Sequence, residues 1–404
     1  MDGLPPGGLG GLEAMLGGGA GGPGGAGAGL AGLLGPGLWD MPMIQMVAFH
    51  PRSVEPDKLG ATTGPIRDGT FDVSGGDTVS YRLYMPPAEK EVQVVVYNFH
   101  GNAEICTDIG ACAELFHGCG AALLSVDYRG FAWGTGQPAL TKLCADAEAC
   151  WKASQQVLEA AGCEQAKRVV MGRSIGATCA VHLAVTEAAD VNGLIVDSGL
   201  MSVKQLPMVA MMAPQVLGPQ AAQMFPALPE PFDTIGKLAK ISCPTLVMHG
   251  EMDEIVPMAQ GILCHDRCAS QEKKLCKWPG AGHNNVNLMF GNEWAAEIAG
   301  LIGKAKDFED ATPSGALVEA HSLSVAELNG AQGHVIGPQG ERIRVSFPAP
   351  HGEKALKPAN IKVLERRKPP PAEEPCPFPI GSMVEAHSLS LVELNGVKGR
   401  VLKQ

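Results

Sequence analysis

Short apolar runs alternate with longer amphipathic segments through the middle of this chain. The apolar runs lie at residues 92–99, 121–126, 168–171, 193–196, 245–248 and 274–277. Helical patterns follow most of them, at about residues 107–119, 139–161, 257–269 and 293–305, with another from the glycine after residue 171 to about 188. This alternation predicts an α/β fold with a mostly parallel sheet and helices on both faces. Functional side chains are then expected beyond the carboxyl ends of the strands.

The chain before the first of these strands changes character twice. Residues 1–40 are mostly Gly, Ala, Pro and Leu, a composition that buries too little apolar surface to offset the entropy of the backbone. We expect a disordered tail there. Two β-rich stretches, 69–74 and 78–84, flank a pair of glycines and predict a hairpin. The folded α/β domain is therefore predicted to span residues 41–310.

An internal repeat marks the carboxyl-terminal part. Residues 317–336 recur as 383–402, an offset of 66 (383 − 317) with 13 identities in 20 positions. The repeat resembles small SH3-like barrel modules built around a Leu-Asn-Gly-x-x-Gly turn. It predicts an all-β SH3-like module at 313–366, a Pro/Glu-rich linker at 367–381 and a partial second copy at 382–404, which would make the chain a truncated one. His321 and His387 recur with the module, so a structural role is expected for both.

Charge and apolar run length exclude some classes of function. The formal net charge of −11 disfavours a general nucleic-acid binder, which would present a basic face. No run approaches the roughly 20 apolar residues of a spanning helix, and residues 1–51 contain no Lys or Arg for a signal peptide. The 12 cysteines show no paired framework. A cytoplasmic protein is predicted, with peripheral membrane contact as a further expectation.

The strand at 168–171 leads into the pattern Gly-x-Ser-x-Gly, from Gly172 to Gly176. A strand, a sharp turn and a small-residue helix in this order are typical of a nucleophile elbow. Ser174 would then be exposed at the carboxyl edge of the sheet as a nucleophile. The backbone N–H of Ile175 would point at the same place.

A serine nucleophile needs a base and an acid that orients the base. Asp253 follows the strand at 245–248, and His283 follows the last strand, in the expected chain order of serine, acid and histidine. Glu251 and Glu254 compete for the acid's role. Asp253 is preferred because its shorter side chain lies five residues past the strand, before the next helix.

The strand at 92–99 ends in His100-Gly101-Asn102-Ala103, a glycine turn beside the elbow. The second N–H of an oxyanion hole is predicted at Asn102, with Ala103 as the alternative, and His100 is expected to support this loop.

The spacing Cys264-His265-x-x-Cys268 lacks a second ligand pair, so a helix face is predicted there and no metal site. No cofactor is predicted.

Together these segments resemble the α/β-hydrolase superfamily over residues 68–308. More narrowly, they are similar to the short-cap branch that includes eukaryotic protein depalmitoylases and Bem-like hydrolases. The resemblance implies a catalytic triad at Ser174, Asp253 and His283. It implies structural roles for Asp127 and Arg129 in the Asp-Tyr-Arg-Gly loop.

Residues 200–232 interrupt the alternation and predict a short cap above the nucleophile. Two interpretations stay open for its methionines: a soft surface for an acyl chain, or ordinary core packing. The candidate substrate-binding residues are Met208, Met211, Met212 and Met224.

The leading prediction is a serine hydrolase of carboxylic esters or thioesters, which would include acyl-protein thioesters. A serine peptidase of the aminopeptidase type is the alternative enzyme, since the same triad cleaves amides. A non-catalytic scaffold, whose carboxyl-terminal module binds a protein partner, is the alternative of another class.

Overall fold

The computed structural model describes residues 39–55, 65–211, 225, 229–309, 311–313, 315–365, 383–385 and 398–400. It divides into two compact units. The first comprises the described residues up to 309 together with Pro338–Gly340. The second comprises the described residues from Ala311 to Gly337 and from Glu341 onward. Each unit has a hydrophobic core of its own.

An eight-stranded sheet forms the centre of the first unit. In chain order its strands are β1 (Ile66–Asp72), β2 (Thr78–Tyr84), β3 (Val94–Phe99), β4 (Ala121–Val126), β5 (Lys167–Arg173), β6 (Val191–Asp197), β7 (Thr245–Gly250) and β8 (Lys273–Trp278). Their spatial order is β1-β2-β4-β3-β5-β6-β7-β8. The β1–β2 hairpin joins β4 in antiparallel fashion, and every later pair is parallel. This confirms the predicted mostly parallel sheet.

Helices cover both faces of this sheet. They are α1 (Pro42–Ala48), α2 (Ala113–Gly118), α3 (Leu143–Ala160), α4 (Gly176–Thr186), α5 (Thr234–Leu238), α6 (Met258–Arg267), α7 (Val286–Met289) and α8 (Gly291–Asp307). Strand β3 shows why: Val95 and Tyr97 point into a core with α3 and α4, and Val94 and Val96 point into the opposite core with α2 and α8. Successive side chains of a strand face opposite ways, so an all-apolar strand needs cover on both sides.

The segment before β1 contributes to the core, including Trp39, which the sequence composition placed in the disordered tail. Trp39 is only 3% exposed, and its indole N–H donates to the Pro229 carbonyl at 3.0 Å. Phe49, just after α1, packs against Tyr128 and Phe131. The predicted tail at 1–40 otherwise lies outside the described residues. Trp39 is therefore a core residue at the end of that range.

The helix predicted at about 107–119 begins later and is shorter. A 3-10 turn at Asp108–Cys112 precedes α2. The Tyr84 hydroxyl lies 3.1 and 3.2 Å from the carbonyls of Cys106 and Thr107, the groups that would start a regular helix.

Among the helices that the structure describes, none is long and apolar enough to cross a membrane.

The second unit contains a five-stranded sheet of β9 (Leu317–Ala320), β10 (Gln332–Gln339), β11 (Arg342–Phe347), β12 (Gly352–Leu356) and β13 (Ile361–Glu365). The spatial order is β12-β11-β10-β9-β13, with antiparallel pairing at β9–β10, β11–β12 and β9–β13. The predicted all-β module is thus an antiparallel sheet. The predicted linker at 367–381 lies outside the described residues.

The internal repeat reappears as a repeated strand pair. In the first copy Leu317 pairs with His334, and in the second copy Met383 of β14 (Met383–Glu385) pairs with Arg400 of β15 (Lys398–Arg400). Both positions differ by the repeat offset of 66, so the two copies share one pairing register. The repeated residues therefore specify this strand pair.

Candidate active site

The turn between β5 and α4 holds Ser174 in a strained backbone conformation. Its φ of +54° lies in the left-handed region that non-glycine residues rarely adopt. A Cβ on Gly172 would come within 2.4 Å of the Gly176 carbonyl oxygen, and a Cβ on Gly176 within 2.1 Å of the Phe99 carbonyl oxygen. Glycine at both positions lets strand and helix approach closely enough to form the turn. The pattern in the sequence has this steric cause.

Three side chains from three loops form a continuous hydrogen-bonded chain. His283 Nε2 lies 3.1 Å from Ser174 Oγ, and His283 Nδ1 lies 2.7 Å from Asp253 Oδ2. All three residues are buried. Because the aspartate accepts at Nδ1, the Nδ1–H tautomer is favoured, and Nε2 is left to accept the serine proton.

The carboxylate of Asp253 is held in its ionised form. Burial opposes ionisation, but hydrogen bonds with His249 and His283 outweigh it and lower the pKa of Asp253 well below its usual range. The amides of Ile255 and Val256 donate to the other carboxylate oxygen at 3.0 and 2.7 Å. Such charge-stabilising hydrogen bonds keep an acid negative beside a histidine.

The two competing glutamates are placed differently. Glu251 is exposed on the turn after β7. Glu254 Oε2 accepts a long, 3.4 Å hydrogen bond from the backbone amide of His283 and makes none with its ring. The structure therefore brings Asp253, and neither glutamate, to the imidazole.

Two backbone amides lie beside the serine. Ile175 directly follows Ser174, and Asn102 belongs to the loop after β3. Both residues line the same cavity as Ser174 and His283. In the described part of the chain, neither amide donates to a carbonyl of the surrounding turns.

Arg173, directly before the serine, ties together three loops. Its guanidinium donates to Glu104 at 2.6 Å, to the carbonyl of His283 at 2.9 Å and to the side-chain oxygen of Asn284 at 2.9 Å. The second oxygen of Glu104 accepts the Gly101 amide at 2.7 Å. We call Arg173 and Glu104 the loop clamp, because they join the elbow, the histidine loop and the loop after β3.

A cavity of about 570 Å³ opens onto the serine, and most of its lining is apolar. One wall comes from the segment before β1, through Trp39, Ile44 and Val47. Residues from the start of the segment predicted as a cap also line it, among them Leu206 and Val209. Its size lies within the usual range for small-molecule sites.

The four methionines proposed for substrate binding differ in their position relative to the cavity. Met208 lines the cavity. Met211 is 65% exposed and is not part of the lining. Met212 and Met224 lie outside the described residues. The apolar surface around the serine comes mainly from aliphatic and aromatic residues.

Sequence reasoning missed the wall before β1 and the loop clamp. A signal for the wall was present: Trp39 ends the glycine-rich composition, and Pro42 stands at the first turn of a short apolar helix. No signal marked the clamp, since its two residues are 69 positions apart.

Metal binding has no structural support in the residues described. No group of three or more His, Cys, Asp or Glu side chains is arranged there to hold an ion. Cys264 and Cys268 are buried, and burial raises the pKa of both thiols.

The strand order, the elbow after β5 and the loops after β7 and β8 have the arrangement of the α/β-hydrolase fold. Part of the chain is similar in sequence to proteins of that superfamily. The sequence profile described as serine aminopeptidase, S33, matches residues 90–233.

Among relatives, the α/β-hydrolase domain-containing protein aho-3 of Caenorhabditis elegans is 32% identical over 194 residues, which are 47% of this chain and 52% of that protein. Human α/β-hydrolase domain-containing protein 17B is 30% identical over 195 residues, which are 47% of this chain and 60% of that protein. The chain thus spans about half the length of the first relatives it matches. An esterase of Pyrococcus furiosus superposes with a TM-score of 0.49 at 17% identity, over 64% of this chain and 98% of that one.

Proposed function

We propose that this protein is a serine hydrolase that cleaves carboxylic esters or thioesters through an acyl-enzyme on Ser174. The observation that carries the proposal is the hydrogen-bonded chain from Ser174 through His283 to Asp253 at the edge of an apolar cavity. Nucleophile, base and orienting acid lie within hydrogen-bond reach of each other, as acyl transfer requires.

In the acylation step, Ser174 Oγ attacks the substrate carbonyl carbon while His283 Nε2 takes the hydroxyl proton. The resulting oxyanion accepts hydrogen bonds from the amides of Ile175 and Asn102. When the tetrahedral intermediate collapses, His283 returns the proton to the departing alkoxide or thiolate. Asp253 stays ionised throughout and stabilises the imidazolium formed between these steps.

Deacylation repeats the sequence with water as the nucleophile. His283 removes a proton from water, and the hydroxide attacks the acyl carbon. The second tetrahedral intermediate uses the same two amides. Its collapse releases the carboxylic acid and restores the hydroxyl of Ser174, so that one water is consumed for each bond cleaved.

The lining of the cavity supports an acyl group of medium or long chain as the bound part. Each buried methylene contributes roughly 0.8 kcal/mol. An enclosed chain should therefore raise kcat/KM several-fold for each two-carbon extension. The cavity lining around Trp39, Ile44 and Leu140 offers this kind of surface.

The experiment combines covalent labelling with a series of p-nitrophenyl esters. The wild-type protein should react with a fluorophosphonate, and the label should map to Ser174. Ser174→Ala should lose the label and on the order of 10⁴–10⁶ of kcat, with an unchanged melting temperature. Retention of a tenth of wild-type turnover by Ser174→Ala would refute the proposal.

A second candidate function is cleavage of amino-acyl amides. The observation that favours it is Glu254, an exposed carboxylate on the cavity lining that could bind a substrate ammonium group. Amino-acyl p-nitroanilides with a free amino terminus test this candidate. Faster cleavage of these amides than of any ester, lost in Glu254→Gln, would favour the peptidase.

A further inference from the structure

His100 is buried beside the loop that carries Asn102, and both of its ring nitrogens have a partner. Nδ1 lies 2.7 Å from the Gly101 carbonyl oxygen, and Nε2 lies 3.0 Å from Asp127 Oδ1. The ring is 3% exposed. The tyrosine ring of Tyr128 packs against it with centroids 4.6 Å apart. No solvent-facing position is left for either nitrogen.

The chemistry of these partners decides where the protons are. A backbone carbonyl only accepts hydrogen bonds, so Nδ1 must carry a hydrogen. Asp127 accepts further hydrogen bonds from the Cys106 amide and the Ser80 hydroxyl, both at 2.7 Å. Both carboxylate oxygens of Asp127 are thus acceptors, so Nε2 carries a hydrogen that it donates to Oδ1. The ring is then an imidazolium paired with a carboxylate.

The Gly101 carbonyl belongs to the same peptide unit as the Asn102 amide. In a trans peptide, C=O and N–H point in opposite directions, and Ala349–Pro350 is the one cis bond in the described chain. Holding the carbonyl toward the His100 ring therefore turns the Asn102 N–H away from it. The preceding peptide is held at both ends, by the Tyr128 hydroxyl on the His100 carbonyl at 2.6 Å and by Glu104 on the Gly101 amide.

We propose that His100, protonated on both ring nitrogens, is a positioning residue that aims the Asn102 amide at the oxyanion. This inference rests on the proposed hydrolase function, because it assigns the orientation of one of the two oxyanion donors. The orienting contact is from Nδ1–H to the Gly101 carbonyl at 2.7 Å, shorter than the 3.3 Å bond that this carbonyl accepts from the Glu104 amide. The contact from Nε2–H to Asp127 holds the ring in place.

The charged groups around the ring favour the imidazolium. Burial lowers the pKa of His100, but the hydrogen bond and the negative charge of Asp127 outweigh it, and Glu104 adds to the effect, so the pKa is raised above its ordinary value. Arg173 bonds to Glu104 and makes no hydrogen bond with the ring itself.

Two substitutions separate the two contacts of the ring. An asparagine amide nitrogen can occupy the place of Nδ1, and a glutamine amide nitrogen can occupy the place of Nε2. His100→Asn should therefore keep the donor to Gly101 and lose the Asp127 contact. His100→Gln should keep the Asp127 contact and lose the donor.

We expect His100→Gln to lower kcat about 100-fold, the scale seen when an oxyanion donor is lost, with KM changed by less than about threefold. Affinity for a boronic acid that mimics the tetrahedral adduct should fall by a similar factor. His100→Asn should keep kcat within about 10-fold of wild type while having the lower melting temperature. His182→Gln removes a histidine–carboxylate pair elsewhere, with Glu148, and should leave kcat unchanged.

A purely structural role would make kcat follow the melting temperature, with His100→Gln the more active variant. That ranking, or equal kcat in the two variants, would overturn the proposal. If neither variant folds, ¹⁵N spectra of the histidine-labelled wild-type protein decide: the His100 ring should be protonated on both nitrogens at neutral pH, and a bare nitrogen contradicts the proposal. A wild-type protein inert to fluorophosphonate would instead refute the proposed function, whatever the spectra show.

Discussion

At the scale of single residues, Asp253 accepts hydrogen bonds on both carboxylate oxygens, which makes its chemistry testable. It accepts from His283 on one oxygen and from two backbone amides on the other. Asp253→Asn should lower kcat about 10⁴-fold, because the amide holds the wrong imidazole tautomer. Steady-state ester hydrolysis measures the loss. Glu251→Gln is the matched control and should keep wild-type kcat; a dead Glu251→Gln would move the acid two residues earlier.

The same carboxylate gives a pH dependence whose sign follows from its lowered pKa. A group with a depressed folded-state pKa stabilises the protein above its unfolded pKa, about 3.9 for aspartate. This stabilisation is lost as the pH falls toward the folded-state pKa. The unfolding free energies of wild type and Asp253→Asn in urea should therefore differ most above about pH 4 and converge as the pH falls below it. Parallel curves across this range would contradict the ionised, hydrogen-bonded state of Asp253.

The positions of Ser174, Asp253 and His283 could be predicted because each side chain follows a strand and belongs to a short local pattern. The roles of His100 and Arg173 could not be predicted in detail. Each depends on which carboxylate another loop brings within about 3 Å, Asp127 for His100 and Glu104 for Arg173. Such contacts between distant residues leave no periodic pattern in the sequence.

At the scale of elements, the loop clamp joins the elbow to the loops on either side of it. Arg173→Met should lower kcat about 10-fold, since it frees the histidine loop and the loop after β3 together. Glu104→Gln should have a similar effect. The double variant should be little worse than either, because the two residues form one network.

A double-mutant cycle on kcat/KM measures this coupling. Lys274→Met, which breaks a surface pair with Glu297, serves as the control and should leave kcat/KM unchanged. Additive effects of Arg173→Met and Glu104→Gln would show that the two side chains act independently.

The position of helix α1 beside the cavity predicts that its cavity-lining residues limit the length of acyl chain that can bind. Ile44 lines the cavity, whereas Met46 on the same helix is 75% exposed and is not part of the lining. Ile44→Trp should fill part of the cavity and lower kcat/KM at least about 10-fold for long-chain esters, with little change for acetate. Met46→Trp should leave the chain-length profile as it is. Equal profiles for Ile44→Trp and wild type would show that the acyl group binds elsewhere.

The strands and the main helices of the sheet were predictable from the apolar alternation, because a sheet covered on both faces demands continuous apolar strands. Helix α1 was not, because its seven residues follow a long glycine-rich stretch and pack against the core through Ile44 and Ala48. Short helices depend on packing more than on intrinsic propensity.

At the scale of the whole molecule, the two cores predict two separable unfolding events. Val345 is completely buried in the core of the second unit, whereas Ser346 beside it is exposed. Val345→Asp buries an unpaired charge and should abolish the unfolding transition of the second unit. Ester hydrolysis by the first unit should continue at the wild-type rate.

Differential scanning calorimetry and the ester assay test this together, with Ser346→Asp as the matched control that should keep both transitions. Loss of hydrolysis in Val345→Asp would show that the first unit depends on the second.

The repeated strand pair was predictable as a repeat, because 13 of the 20 aligned positions are identical. The sheet order of the second unit was not predicted from the sequence.

The wall formed by Trp39 and α1 has a practical consequence for how this protein is shortened and compared. The matched family profile begins at residue 90, about 50 positions after Trp39. A chain begun at residue 90 would keep Ser174, Asp253 and His283 and lose one side of the cavity beside them. Such a fragment would misreport selectivity even where it turned over. Inhibitor screens on shortened forms would then favour compounds that the intact protein has no room to admit.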